Sequence, residues 1–181
     1  MSRAQIIALA LGAITLFWMV GAHNRLVALR NAITQAWARL QDTLDQRARI
    51  LEPLLAALRV PLAAEHGALD ALQTAHAEAR RAAAAMAQRP VHPDPAQAWT
   101  AAEAAVSAAA ARVMALLDQH AELRDGEPVV ALATAWHHCQ ARLPVAREVF
   151  NDAAAAYDEA RVLFPTRLLM RLFRFGPAGR L

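Results

Sequence analysis

No lysine occurs in this chain; all nineteen basic residues are arginine. Arginine's planar fork suits phosphates and carboxylates. The chain is also rich in alanine, however, and both excesses match the codon bias of a GC-rich genome, so no phosphate-binding role follows. Serine occurs only at positions 2 and 107, and a serine triad in the folded part would have to use Ser107 inside an alanine-rich helix. No Gly-rich phosphate loop, Cys-x-x-Cys pair or nucleophile elbow is present. The lone Cys139 excludes an internal disulfide. The Glu-x-x-His pairs of a di-metal bundle are also missing: three residues after Glu65, Glu78, Glu103 and Glu122 stand Ala68, Arg81, Val106 and Asp125. His137 and His138 are neighbours, about 100° apart on a helix, and cannot chelate together. The expectation is therefore no catalytic residue, no cofactor, no metal ligand and no enzyme.

Charge is missing from Ala4 to Ala22, a run whose only polar side chains are Gln5 and Thr15. A helix crossing a hydrocarbon core of about 30 Å needs roughly 20 apolar residues, so the run predicts a single transmembrane helix. Trp18 near its end, then His23, Asn24 and Arg25, suit the exit into the headgroup zone. Val20-Gly21-Ala22 resembles a signal-peptide cleavage site, but Arg3 alone makes a weak n-region and the apolar pattern continues past the supposed cut. Acids are absent from residues 1–41 and 161–181, whereas 42–160 hold ten arginines against all sixteen acids. The ends are basic and the middle is acidic.

Strand periodicity is absent as well, and helical periodicity fills the chain. Apolar residues recur at 26, 29, 33, 37, 40, 44, 51, 54 and 58, with one polar slot at 47 or 48. That 3.5-residue period marks a helix packed along its length, as in a coiled coil, and the arginines on or beside the seam, Arg30 and Arg47, are expected to snorkel out of it. Pro53 predicts a kink and Pro61 a boundary. A second helix is expected over about 62–88, with Leu62, His66, Leu69, Leu72, His76, Arg80 and Met86 on one face. Residues 89–95, with three prolines, read as a linker. A third helix follows over about 96–123, striped by Trp99, Val106, Ala110, Val113, Leu117 and Leu123. A turn at Asp125–Pro128 leads to a fourth helix over about 128–164 with the stripe Val129, Leu132, Trp136, Cys139, Leu143, Ala146, Phe150, Ala153, Tyr157, Ala160 and Phe164. Pro144 lies inside it. The lengths predict an all-α fold: an N-terminal transmembrane helix, then an antiparallel up-down-up-down four-helix bundle with long helices. The domains are read as 1–23 (anchor), 24–165 (bundle) and 166–181 (basic amphipathic tail).

Several of these residues resemble the LemA family of membrane-anchored helical proteins. His23-Asn-Arg-Leu-Val-Ala-Leu-Arg-Asn31 followed by Ala36-Trp37 is similar to the family's segment beside its anchor, with His23 standing for tyrosine. Phe150-Asn151, Tyr157-Asp158, Phe164-Pro165 and Leu172-Phe173-Arg174-Phe175 are similar to its later Tyr-Asn, Tyr-Asn, Phe-Pro and Leu-Phe pattern. Asp158 replaces an asparagine, and Pro53 sits one place later than the family's proline. The resemblance implies one N-terminal anchor and an antiparallel bundle, without an established activity.

Function is then expected to be placement: a non-enzymatic single-pass protein presenting a helical surface at the bacterial inner membrane. The second reading is a ligand-sensing or lipid-associated bundle that uses an alanine-lined gap between helices two and three, at runs 82–85 and 108–111. Expected partners are the bilayer and another membrane or envelope protein, not nucleic acid. Arg25, Arg30, Arg167, Arg171 and Arg174 are the candidate membrane-surface residues, and Arg30 with Asp158 the candidate structural polar pair. Arg25 and Arg30 outnumber Arg3, which leans the bundle toward the cytoplasmic side.

Overall fold

The computed structural model describes residues 2–163 and 176–181. Five α-helices account for most of them: α1 (Arg3–Arg59), α2 (His66–Gln88), α3 (Pro93–Gln119), the single-turn α4 (Ala121–Arg124) and α5 (Val129–Val162). A 3₁₀ turn, Ala63–Glu65, precedes α2, and the described residues contain no strand.

The first helix begins with a reciprocal cap. Ser2 Oγ accepts from the Gln5 amide at 3.3 Å, and Gln5 Oε1 accepts from the Ser2 amide at 2.8 Å, which satisfies two donors that have no partner inside the helix. It then runs unbroken through the expected boundary at 23/24 and through Pro53. Its 57 residues span about 85 Å at 1.5 Å each. Ile7, Leu9, Leu11, Ile14, Leu16 and Phe17 are all at least 60% exposed, whereas Leu26, Ile33 and Leu40 are fully buried. The N-terminal part of α1 is thus long and apolar enough to cross a membrane, with none of its apolar window covered by protein. Helix α3 meets the same length and composition test, but Trp99, Val106, Val113 and Leu117 on it are core residues.

Two boundaries differ from the sequence expectation. The expected linker 89–95 is shorter, because α3 starts at Pro93 and takes Pro95 into its first turn. First-turn N–H groups have no intrahelical acceptor, so proline loses nothing there. The expected third helix also stops earlier, at Gln119. The His120 amide bonds back to Leu117 O at 3.0 Å, and α4 forms separately.

Packing gathers into two apolar clusters. One joins Leu26–Leu44 of α1 with Ala83 and Met86 of α2, Ala96 and Trp99 of α3, and Leu143–Ala160 of α5. The other joins Leu51–Leu58 of α1 with Ala68–Ala79 of α2, Val106–Leu117 of α3, and Val129–Trp136 of α5. The helix-one and helix-four stripes are buried or half-buried throughout their described residues. On α2, His66 and Arg80 are exposed, so the buried face there is Ala68, Leu69, Leu72, Ala75, His76, Ala79, Ala83 and Met86.

The chain's end closes the first cluster. Ala178 and Gly179 are buried, and the Gly179 amide donates to Val91 O at 3.0 Å. A Cβ at Gly179 would lie 2.5 Å from Ala96 Cβ and 2.7 Å from His92 O, so only glycine fits this approach. Asn151 holds Leu181 by both amide atoms: Nδ2 donates to Leu181 O and Oδ1 accepts from Leu181 N, each at 2.8 Å.

Candidate functional site

Where the two apolar clusters meet, every long helix contributes a polar side chain. Arg47 of α1, 2% exposed, forms a two-pronged pair with Glu103 of α3, 5% exposed. Nη2 donates to Oε2 at 2.8 Å and Nη1 donates to Oε1. Gln140 of α5 accepts from Arg47 Nη1 through Oε1 at 3.5 Å. His76 of α2 completes the layer, buried and close enough to feel the charges of Arg47 and Glu103. Its pKa is held below 6.5, first by burial and then by Arg47 and Arg80. A neutral imidazole at pH 7 follows.

Arg47 therefore does not snorkel, contrary to the expectation from its place on the seam. Its stem lies in the core and its head meets a carboxylate there, which makes burial of the charge tolerable. The sequence reading also missed Glu103 and Gln140. A signal existed for both: Glu103 lies four residues after Trp99 and three before Val106, on the α3 stripe, and Gln140 adjoins Cys139 on the α5 stripe. The polar slot at 47 is the matching break in α1.

Aromatic rings border this layer. Trp37 and Trp99 meet edge to face with centroids 5.6 Å apart, and Trp37 meets Phe150 at 6.3 Å. The Arg147 guanidinium stands 5.7 Å from the Trp99 ring centroid. Three N–H groups here are buried without an acceptor: Trp37 Nε1, Trp99 Nε1 and Arg47 Nε. Cavities open on two sides of Trp99. The first, about 170 Å³, lies among α1, α2 and α3, with Arg47, His76, Ala79 and Ala83 in its wall. The second, about 160 Å³, lies between α3 and α5, with Glu103, Gln140 and Arg147 in its wall. The alanine-lined gap expected between helices two and three is placed differently: Ala79, Ala83 and Ala84 face the first cavity together with α1, while Ala109 and Ala110 pack in the second apolar cluster.

The other singled-out residues are distributed as follows. Cys139 is buried, its Sγ donates to Thr43 O at 3.5 Å, and burial raises its pKa. His137 and His138 are exposed. Among the described residues, no group of three or more His, Cys, Asp or Glu is arranged to hold a metal ion. Arg25 is exposed and Arg30 half-buried, while Arg167, Arg171 and Arg174 lie outside the described residues. Arg30 lies near enough to Tyr157 to lower the hydroxyl's pKa, although burial outweighs it and leaves that pKa raised. Asp158 is engaged by Arg161 at 3.5 Å, by Arg180 at 3.8 Å and by the Ala178 amide at 3.1 Å.

These features define an all-helical protein with a long apolar N-terminal helix and a buried ionic layer. Within that class, a model of the LemA family matches residues 36–180, well over half of the chain, and the chain belongs to that family. The matched range takes in Trp37, the buried layer and the Asn151 and Asp158 anchors of the C-terminal segment. No curated protein matches the chain.

Proposed function

We propose that this chain is a non-enzymatic single-pass membrane protein that holds an antiparallel up-down-up-down four-helix bundle upright on the bacterial inner membrane for another envelope protein to bind. The observation that carries this reading is the unbroken α1. Its apolar first third is exposed and its remainder is the spine of both cores, so one rigid rod would couple lipid to bundle. α5 runs back along α1, and near its end Tyr157 donates to Gly176 O and Asp158 accepts from the Ala178 amide, which holds the docked chain end. Arg25 and Arg30, with Arg167, Arg171 and Arg174, would form a basic collar at the headgroups, each worth about 1 kcal/mol beside anionic lipid. Arg30 and Asp158 would sit in that collar as a structural pair. The acidic middle of the chain would face the partner, and the bundle would lie on the cytoplasmic side.

Alkaline extraction of membranes carrying the full chain, with protease treatment of right-side-out vesicles, tests it. The expected result is retention in the membrane pellet and a protected bundle. Leu11→Arg at mid-span should release part of the chain, since arginine at a helix centre costs about 2.5–3.5 kcal/mol on insertion. Complete release of the unmutated chain by alkali overturns the anchor. Digestion of the bundle in sealed vesicles overturns its side.

A further inference from the structure

We propose that the end of α5 makes a second contact with lipid, with Val162 and Leu163 resting where headgroups meet acyl chains and Val27 of α1 at nearly the same height. This contact rests on the reading of α1 as a bilayer-spanning helix.

The height of that end follows from the register of α5 against α1. Trp37 meets Phe150, and ten residues further along α1 Arg47 meets Gln140, ten residues earlier on α5. Antiparallel helices with the same rise per residue keep such a register along their length. Seven residues the other way, Arg30 lies near enough to Tyr157 to act on its hydroxyl. Six more bring Leu163 level with Asn24, and the uncharged run of α1 ends at Ala22. The last turn of α5 therefore stands at the edge of the span.

That turn exposes apolar side chains: Val162 is 64% exposed, Leu163 51%, and Val27 across on α1 39%. Exposure alone says little, since Val145 on the same helix is 62% exposed. Position separates them, because Val162 lies seventeen residues, about 25 Å, nearer the bilayer. There it continues the exposed apolar surface of α1, where Val20 is 50% exposed. Two opposed tendencies set the depth. Helix α5 stops at Val162, with Leu163 extended, so its last four carbonyls have no partner within the helix. Hydrocarbon offers such groups no donor, which holds the helix end among hydrated headgroups. The valine and leucine side chains gain by leaving water, which draws the same end toward the acyl chains. Arg25, exposed and level with Val162, suits anionic headgroups, while the nearest acids, Asp158 and Glu159, stand about a turn farther away.

The test places an environment-sensitive fluorophore on single cysteines of the full chain, reconstituted into phosphatidylcholine–phosphatidylglycerol vesicles. Native Cys139 is buried, and the unmutated chain treated with the same dye supplies the blank. The variants are Val162→Cys, Leu163→Cys, Val145→Cys and Leu11→Cys, all at exposed positions outside both cores. Quenchers are iodide on both sides of the bilayer, and lipids carrying a nitroxide either near the headgroup or near the acyl-chain end. Labels at 162 and 163 should emit at shorter wavelength than the label at 145 and resist iodide. The nitroxide near the headgroup should quench them more than the deep one. The label at 145 should be open to iodide and untouched by either lipid, and the label at 11 should be quenched most by the deep nitroxide. Either 162 or 163 decides the matter if the other variant loses its helical circular dichroism. Labels at 162 and 163 that behave like the one at 145, with 11 still quenched, overturn this contact and leave the anchor standing. Loss of quenching at 11 overturns the anchor itself, and this contact with it. Resistance to iodide without quenching by lipid means that protein covers the end of α5, and also overturns the proposal. So does stronger quenching of 162 by the deep nitroxide, which would put the helix end inside the hydrocarbon.

Discussion

The two apolar clusters share the same four long helices but not the same chemistry. The cluster next to the exposed part of α1 is aromatic, with Trp37, Trp99, Phe150 and Tyr157, and it is closed by the end of the chain. The other is aliphatic, built from leucine, valine and alanine with Trp136 its one buried ring. Leucine and alanine ask only to be packed. Indole and phenol rings also carry N–H and O–H groups that need acceptors, so polar neighbours, cavities and a docked segment collect around the aromatic end. The difference teaches that continuous helices can carry one half that asks only for packing and another whose buried polar groups also need partners.

The sharpest way to break that comparison is at the layer between the halves. Glu103→Ala leaves Arg47 charged, buried and unpaired, and should cost about 3–5 kcal/mol in denaturant unfolding of the full chain in detergent. Replacing both partners together, Arg47→Met with Glu103→Leu, should recover most of that loss, because two apolar side chains of similar volume need no partner. If the double variant is as unstable as the single one, the layer does more than satisfy its own charges.

A smaller, one-sided effect is expected at the aromatic end. Gly179→Ala cannot keep its approach to Ala96 and His92, and Asn151→Ala removes both bonds to Leu181. Each should cost about 1–3 kcal/mol, the range for one or two lost hydrogen bonds. Hydrogen exchange should quicken at 176–181 and α5 residues 150–160, with the aliphatic end unchanged. Equal loosening at both ends would show that the two clusters open as one unit.

The proposed collar pairing gives the next effect. Arg30→Glu should destabilise by up to about 1 kcal/mol, as expected for a partly exposed pair, and should cost less in an Asp158→Asn background, where Arg30 has no carboxylate to lose. Thermal unfolding in both backgrounds at low and high salt measures this. An equal loss in both backgrounds removes Arg30 from Asp158.

The smallest effect is a pH slope. His76 holds its pKa below 6.5 in the folded state, so as pH falls through 6.5 the unfolded chain takes up a proton that the folded chain refuses. Stability contributed by the neutral imidazole is full above 6.5 and declines below it. His76→Gln should flatten the melting temperature between pH 7 and 5. An unchanged slope would move the effect to another titrating group.

Much of this was legible in the residues alone. The 3.5-residue spacing from Leu26 to Leu58 and the stripe from Val129 to Ala160 marked two long helices and their inward faces. The uncharged run from Ala4 to Ala22 marked the exposed apolar part of α1, and Phe150-Asn151 and Tyr157-Asp158 pointed to the family. Pro93 and Pro95 misled, because proline breaks a helix interior yet is at home in its first turn, and composition does not say which turn it occupies. Arg47 misled for a related reason: an arginine on a seam can reach water or a buried carboxylate, and only the neighbour decides.

Periodicity, charge gaps and proline positions thus determined the helices, the faces they bury and the apolar beginning. Tertiary structure alone decided which faces meet at which height. Helical period fixes the angle of a side chain around its own axis and carries no information about axial register against a helix 56 residues away. That register set Arg47 against Glu103, opened a cavity beside Trp99, and brought Gly179 onto Val91, none of which a single helix can specify.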